Sequence, residues 1–559
     1  MGDATLPIAR RSFLLASLAA PGLRAASEAP VALPPDHVKA AQRRRRIAVQ
    51  YDAHDRHLLG KIDSNEWLRY LFTYEDEPGS EIDTILWDIG FGGLNYAVWP
   101  SKVMRVTRQS GLVAWREQGF EWVPALLREC RKRKIEVFWN HRFSEIDVPE
   151  DSTSWMKAPR TELKAAHPDW LIKSWYWPGL WNVAAPGLQD RVLAVLREIA
   201  STLDVDGVRI DFARHMPVLP PGRQWEMRGE ATRFMRRVRL MLLEEARKRG
   251  RPLLLAAKVP ETIEGCRVDG LDVAEWARQN LVDLFTLGSR TMNVDVEGFR
   301  RIVADKPIKL QPCFDDYHAT DGYQNHSIEL FRGVFSNWWA QGADSVETFN
   351  WASAPRPLNP ASPNTPISGE IQQQAYREIG SPQRMRYKSK LFAVERRGGY
   401  PWSEGYFNLN KTAPLPYELA NDGRPGVFTI RVADDAAAAG SRLRACMLHV
   451  DLLRAADEDR IEVALNGVAL ANPRRDPNWT DPRIFSIRQP YAGSGVYSAI
   501  RTKSSQPAKL TRFTYPAPAR LFRRGKNEVL VRVLDRGRYA PGDSLQIEKM
   551  EVAFEYHEV

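Results

Sequence analysis

Eight short apolar runs recur between residues 45 and 355, several of them separated by segments of helical length, and this alternation restricts the chain to few folds. The runs are Ile47 to Tyr51, Leu94 to Trp99, Ile135 to Asn140, Gly207 to Asp211, Leu253 to Val259, Leu281 to Thr286, Ile308 to Phe314 and Ser345 to Asn350. Between them lie patterns of 3.6-residue period, for example Leu188 to Leu203 and Ala231 to Lys248. Strands that alternate with helices build a parallel sheet covered by those helices, and eight such units close into a (β/α)8 TIM barrel, an α/β fold. The rival arrangement is a doubly wound open sheet. It is disfavoured because no glycine-rich phosphate loop follows the first strand.

Beyond about residue 400 only strand patterns remain: Val427 to Val432, Leu443 to Leu452, Arg460 to Leu465, Asn527 to Leu534 and Leu545 to Tyr556. Asn466-Gly467 between two alternating runs is a strong hairpin signal. This region reads as an all-β, jelly-roll-like sandwich. The segment Pro355 to Pro366 is a loop or lid rather than the boundary, since helical patterning resumes at Gln372 to Leu391. A length of 559 residues already requires more than one core. The expected division is a leader over residues 1–26, a barrel over 27–400 and a sandwich over 401–559.

The leader is expected because Arg10-Arg11-Ser12-Phe13-Leu14 precedes a short apolar stretch and small residues at Ala25 and Ala26, the pattern of a twin-arginine export signal. The expected location is therefore periplasmic or secreted. No apolar run reaches 18 residues, so no membrane span is expected. The formal charge is +10, falling to +8 without the leader, which favours anionic partners. The basic runs Arg43 to Arg46 and Arg131 to Lys134 precede apolar strands and read as a solvated barrel rim, and no nucleic-acid-binding motif is present. Cys130, Cys266, Cys313 and Cys446 are widely spaced without a CxxC pair, which argues against structural zinc; two disulfides are open to an exported chain, and burial as free thiols is the default expectation.

The candidate chemistry lies at strand ends. With a period of two, Gly207, Arg209 and Asp211 share one face of their strand and Val208, Ile210 and Phe212 the other. In a barrel the apolar set faces the helices, so Arg209 and Asp211 point inward toward the C-terminal mouth, where barrel enzymes carry their active sites.

Gly207-Val208-Arg209-Ile210-Asp211-Phe212-Ala213-Arg214-His215 resembles the fourth-strand motif of the α-amylase clan, and Glu136-Val137-Phe138-Trp139-Asn140-His141 is similar to its third-strand motif. The order His167-Pro168-Asp169-Trp170-Leu171, Asn182 to Pro186, a helix, then Asp204-Val205-Asp206-Gly207 resembles the bacterial glycosyl-hydrolase-like (family-10-like) barrels, most of which have no assigned substrate. These resemblances imply a carbohydrate-active barrel with Asp211 as nucleophile and an acid at the end of strand five, where Glu261 follows Val259-Pro260. Glycoside hydrolysis needs two carboxyl groups, one to protonate the leaving oxygen and one to attack or to activate water. Glu347, which shares parity with Asn350, competes with Glu261 for the acid role. Asp315, Asp316, Tyr317 and His318 stand where the clan has its strand-seven pair, in altered order; Asp315, Asp316 and His318 could otherwise hold calcium, although no ligand loop of recognisable spacing is present.

Trp170, Trp175, Tyr176, Trp177 and Trp181 crowd twelve residues and suit a sugar-stacking subsite wall. Trp99, Asn140, His141, Arg142 and His215 are expected around the same mouth, contacting hydroxyls. The resulting expectation is an exported, retaining glycoside hydrolase that needs no metal or cofactor and acts on a carbohydrate, the positive charge pointing to an acidic one. Two alternatives remain open. One is a non-catalytic carbohydrate-binding protein, and the other is a polysaccharide lyase or esterase with His141 or His215 as base.

Overall fold

The structure is a computed structural model that describes residues 28–52, 60–88, 94, 96–108, 110–147, 160–173, 178–288, 291–315, 323, 327–349, 369–396, 413–485, 507–537 and 544–557. The expected leader and the Pro355–Pro366 segment lie outside the described residues.

Eight parallel strands close into a barrel in sequence order: β1 Ile47–Asp52, β2 Ile82–Asp88, β3 Glu136–Arg142, β4 Gly207–Asp211, β5 Leu254–Val259, β6 Leu284–Leu287, β7 Lys309–Asp315 and β8 Val346–Phe349. Seven coincide with expected runs. The second does not. Leu94 to Trp99 is not a strand; Ala97 makes only an isolated bridge to Val106, and β2 lies earlier, over Ile82-Asp83-Thr84-Ile85-Leu86-Trp87-Asp88. Acids at the second and last positions broke the apolar pattern there. Asp83 accepts from the Arg46 backbone N–H and Asp88 points into the barrel, so both have partners that a linear pattern does not reveal.

Alternation along each strand separates two cores. Outward residues such as Val49, Ile85, Val137, Val208, Ile210, Leu255, Ala257 and Phe285 join the helices in the main core. Inward residues at the N-terminal end, Ala48, Leu86, Phe138, Leu254, Ala256 and Leu284, form a separate small apolar plug, closed beneath by Ala41 of the helix Pro35–Ala41. Phe138 fits only because β4 begins with glycine. A Cβ on Gly207 would lie 2.4 Å from the Phe138 ring and 2.7 Å from the Leu254 carbonyl oxygen. Gly207→Ala is expected to destabilise the protein by about 1–3 kcal/mol, the usual cost of overpacking. Adding Phe138→Leu should recover only part of this, because the backbone contact remains; denaturant midpoints of the single and double variants check it.

The C-terminal region holds two antiparallel sheets over a second core. One runs β10–β18–β12–β16–β15, with β9 also paired to β18; the other runs β11–β17–β13–β14. Their ranges are β9 Lys390–Ala393, β10 Tyr417–Glu418, β11 Gly426–Val432, β12 Leu443–Leu453, β13 Arg460–Leu465, β14 Val468–Ala469, β15 Arg474–Phe485, β16 Pro507–Pro516, β17 Gly525–Asp535 and β18 Gln546–Tyr556. The Asn466-Gly467 turn joins β13 to β14 with φ of 51° and 84°, the left-handed values a tight hairpin needs. β9 couples the two units. Leu391 and Ala393 pack on the barrel core while Phe392 and Val394 enter the sandwich core, so the sandwich sheet takes in residues ahead of position 400.

Candidate active site

Above the apolar plug the barrel is filled with polar side chains. Arg209 of β4 reaches across the interior: Nε donates to Asn140 Oδ1 at 2.6 Å, Nη2 to Gln50 Oε1 at 2.5 Å and Nη1 to Glu347 Oε2 at 2.5 Å. These partners sit on β1, β3 and β8, which establishes that Arg209, and with it Asp211, lies on the inner face. Lys258 of β5 donates to Gln50 Oε1 at 2.8 Å and lies 3.4 Å from Glu347 Oε1. The Cys313 thiol approaches the same Glu347 oxygen at 3.3 Å, and burial, then the Glu347 charge, pushes that thiol's pKa up so that it stays a neutral donor.

Glu347 is therefore the counter-ion of two buried cations. It pairs in register with Cys313, one inward position below Asp315 and Phe349, and none of its side chain is exposed. Phe349 lies above it on the same strand, with Lys258 Nζ 4.5 Å and the Arg214 guanidinium 5.1 Å from its ring centroid. Glu347 thus has a buried ion-pairing role.

At the C-terminal strand ends, Asp211 has Arg142 and Lys258 as its register neighbours on β3 and β5. Burial opposes its ionisation, but the charges of Lys258, Arg209, Arg142 and Arg214 outweigh burial and hold the carboxyl below its ordinary value. Oδ1 accepts the backbone N–H of Arg214 at 3.1 Å. Oδ2 is buried and has no hydrogen-bond partner among the described residues. An ionised carboxylate with one oxygen uncommitted has the properties a nucleophile or base requires.

Two further carboxyls occupy top inward positions. Asp88 Oδ2 accepts from Gln50 at 3.0 Å, Asn140 at 2.9 Å and Arg142 at 2.7 Å. Asp315 ends β7, fully buried, opposite Phe349 in register. Asn140 and Arg142 belong to this inner network, as their sequence positions implied.

Other expected site residues are elsewhere. Glu261 has the parity of Val259, which packs in the outer core, and its Cγ would be 2.2 Å from a Cβ on Gly288, a glycine at φ +63° just after β6. It is buried there beside Glu395, whose carboxyl burial pushes up to about 7 with the charge of Glu261 adding to the rise. At strand five the inward side chain next to Asp211 is Lys258. Trp99 is a core residue, since β2 ends eleven residues before it. Its ring meets Trp139 edge-on at 4.9 Å and its indole N–H donates to Glu198. Trp181 is 1% exposed, in contact range of Lys164, and only Trp170, stacked on His167 at 3.8 Å, is half-buried near the surface. Trp175, Tyr176, Trp177, Asp316, Tyr317, His318 and Asn350 lie outside the described residues.

His215 Nδ1 is 3.1 Å from the Ser144 carbonyl oxygen and ties the loop after β4 to the loop after β3. His141 has outward parity, paired with Ile210, and its Nε2 is buried without a partner among the described residues. Burial lowers its pKa to about 4 although the Asp211 charge opposes this. It is therefore neutral near pH 7. In the unfolded chain it titrates near 6.5, so the unfolded state takes up the proton first as pH falls and stability is lost between about pH 6.5 and 4. The difference amounts to about 3 kcal/mol. Urea midpoints measured across that range should fall more steeply for the native protein than for His141→Leu.

Gln50, Asp88, Lys258 and Phe349 were not anticipated as site residues. Lys258 and Gln50 did leave a signal, each being a polar residue on the inward parity of an otherwise apolar strand.

No family model matches the chain, and no curated protein matches it. Solved structures do. Alpha-L-fucosidase isoenzyme 2 from Paenibacillus thiaminolyticus aligns at 14% identity and a TM-score of 0.39 over 63% of this chain and 52% of its own. The PgaB (BpsB) glycoside hydrolase domain from Bordetella bronchiseptica aligns at 12% identity and 0.39, over 60% of this chain and 99% of its own. The noncanonic maltogenic alpha-amylase AmyB from Thermotoga neapolitana aligns at 10% identity and 0.33, over 88% and 99%. The chain thus spans about half the length of the fucosidase it matches. At this distance the chemistry of the barrel mouth must be argued from its own residues.

Proposed function

We propose that this protein is a glycoside hydrolase in which Asp211 attacks the anomeric carbon. The observation that carries this reading is the uncommitted Asp211 Oδ2, held ionised by four cationic side chains at the C-terminal ends of a closed barrel. Arg142 and Lys258, its neighbours on either side, keep it charged without hydrogen-bonding that oxygen. The proton donor is assigned to Asp315, a buried carboxyl at the top inward position of β7, because Glu347 is the counter-ion of Arg209 and Lys258 and Glu261 packs against Gly288 beside Glu395. A nucleophilic Asp211 implies net retention of configuration. Asp211 and Asp315 carboxyls about 5–5.5 Å apart in a substrate complex would support this, and about 6.5–9.5 Å would favour inversion.

Export through a twin-arginine signal and a periplasmic or secreted location belong to the same proposal, as does a polysaccharide or oligosaccharide substrate. No helix among the described residues is long and apolar enough to cross a membrane. The first experiment is to incubate the purified protein with an array of neutral, uronate-bearing and sulfated polysaccharides and to assay for reducing ends. Release from one class supports hydrolysis. Binding without release selects a carbohydrate-binding protein instead, and products carrying an ultraviolet-absorbing double bond select a lyase.

A further inference from the structure

The two basic runs, ninety residues apart in sequence, meet at the opposite end of the barrel. Arg43, Arg44 and Arg46 precede β1, Arg133 and Lys134 precede β3, and together with Glu81, Ile82, Asp83, Ile135 and Ser381 they line an open groove of about 610 Å³. The apolar plug under the barrel interior separates this groove from the Asp211 site.

Several cations in this neighbourhood are paired. Arg46 meets Glu81 and Asp83, and Arg133 meets Asp76 and Glu129 while lying over the Phe72 ring. Arg45 is buried in a two-pronged bond to Glu136, at 2.5 and 2.7 Å. Three cations are left over. Arg43 is 3.9 Å from the already occupied Glu136, and Arg44 and Lys134, both exposed, have no ion pair among the described residues.

Lys134 carries an independent mark. It follows the helix Trp122–Lys132 at φ +58°, in the left-handed conformation that closes the helix through the Ile135 N–H to Cys130 carbonyl bond. Glycine adopts this conformation without strain and is the usual residue there. The chain holds a lysine in a strained position that points an unpaired charge into a cationic groove. Strain retained at a charged surface position motivates a binding role.

We infer that this groove binds a stretch of anionic polysaccharide, whose carboxylate or sulfate groups meet Arg43, Arg44 and Lys134. The choice of polysaccharide rests on the proposed function; the charge requirement rests on the groove alone. No aromatic ring lines it, so it lacks the stacking platform that single-stranded nucleic acid binding uses. Its concave form does not suit a flat lipid surface. Holding a polymer at the base of the barrel would raise the effective concentration of chain segments available to the mouth of the same molecule.

Affinity electrophoresis of the full chain in gels containing polygalacturonate, dextran sulfate or neutral dextran tests the inference, with double-stranded DNA as a competing arm. Wild type should be retarded by one or both anionic polysaccharides and not by dextran, and raising salt from about 50 to about 200 mM should weaken the retardation on the order of tenfold. Arg44→Glu with Lys134→Glu should reduce it at least about tenfold, with circular dichroism unchanged. Lys134→Gly should weaken binding yet raise the melting temperature by about 1–3 °C. No retardation of wild type, equal retardation of the double variant, or tighter binding of DNA than of either polysaccharide would overturn it. Because the readout is binding, an Asp211→Asn variant is retarded normally whether or not the catalytic reading survives, which separates the two failures.

Discussion

Asp211→Asn is expected to lower turnover by about 10³-fold or more, equivalent to at least ~4 kcal/mol of transition-state stabilisation. The substitution keeps size and the hydrogen bond from the Arg214 N–H, but it replaces the free anionic oxygen with a group that cannot attack. Substrate binding should change far less, so the loss falls on kcat. Asp211→Ala should regain part of the activity with added azide, a small anion able to occupy the vacated position. Because four cations face Asp211, neutralising it will also cost stability, and denaturant curves must accompany the kinetics. Wild-type turnover in a folded Asp211→Asn protein removes the nucleophile assignment.

The second large effect concerns folding. Glu347→Gln leaves Arg209 and Lys258 buried without their shared counter-ion, and the loss is expected to be about 3–5 kcal/mol, the range for breaking a buried pair on one side. Removing one cation, as in Arg209→Met, takes the donor from Asn140 Oδ1 and leaves Glu347 and Gln50 with Lys258 alone, so its cost should be smaller than that of Glu347→Gln. Guanidinium unfolding of the two variants measures this. A Glu347→Gln protein as stable as wild type but inactive would return Glu347 to the list of proton donors.

The contrast between Asp211 and Glu347 shows what a linear pattern can and cannot convey. Parity along Gly207-Val208-Arg209-Ile210-Asp211 is local, and it was legible because apolar and charged residues alternate without interruption. The barrel was legible for the same reason in seven strands. β2 was not, because Asp83 and Asp88 interrupt its apolar run, and their partners on β1 and β3 come from other strands.

Which inward carboxylates face the mouth, and which neutralise cations below it, depends on the stagger between neighbouring strands. That stagger places Glu347 level with Cys313 and Asp315 level with Phe349. Sequence does not carry it. Glu261 lies two residues past the end of β5, against Gly288 and beside Glu395, neighbours that come from other segments, and Trp99 inherited the misplacement of β2. The tryptophans around Trp181 suggested an exposed wall because so many rings in a short stretch rarely pack together; of them Trp181 is a core residue, while Trp175, Tyr176 and Trp177 lie outside the described residues.

A nucleophilic Asp211 bonds covalently to sugar during turnover, and rapid acid quenching of the enzyme turning over whichever polysaccharide the array selects, followed by peptic digestion and mass spectrometry, captures that bond. A glycosyl adduct on the peptide spanning residues 207–215, absent from Asp211→Asn, is the predicted result. An adduct on a different carboxylate, or steady turnover with inverted product and no adduct at all, would contradict it.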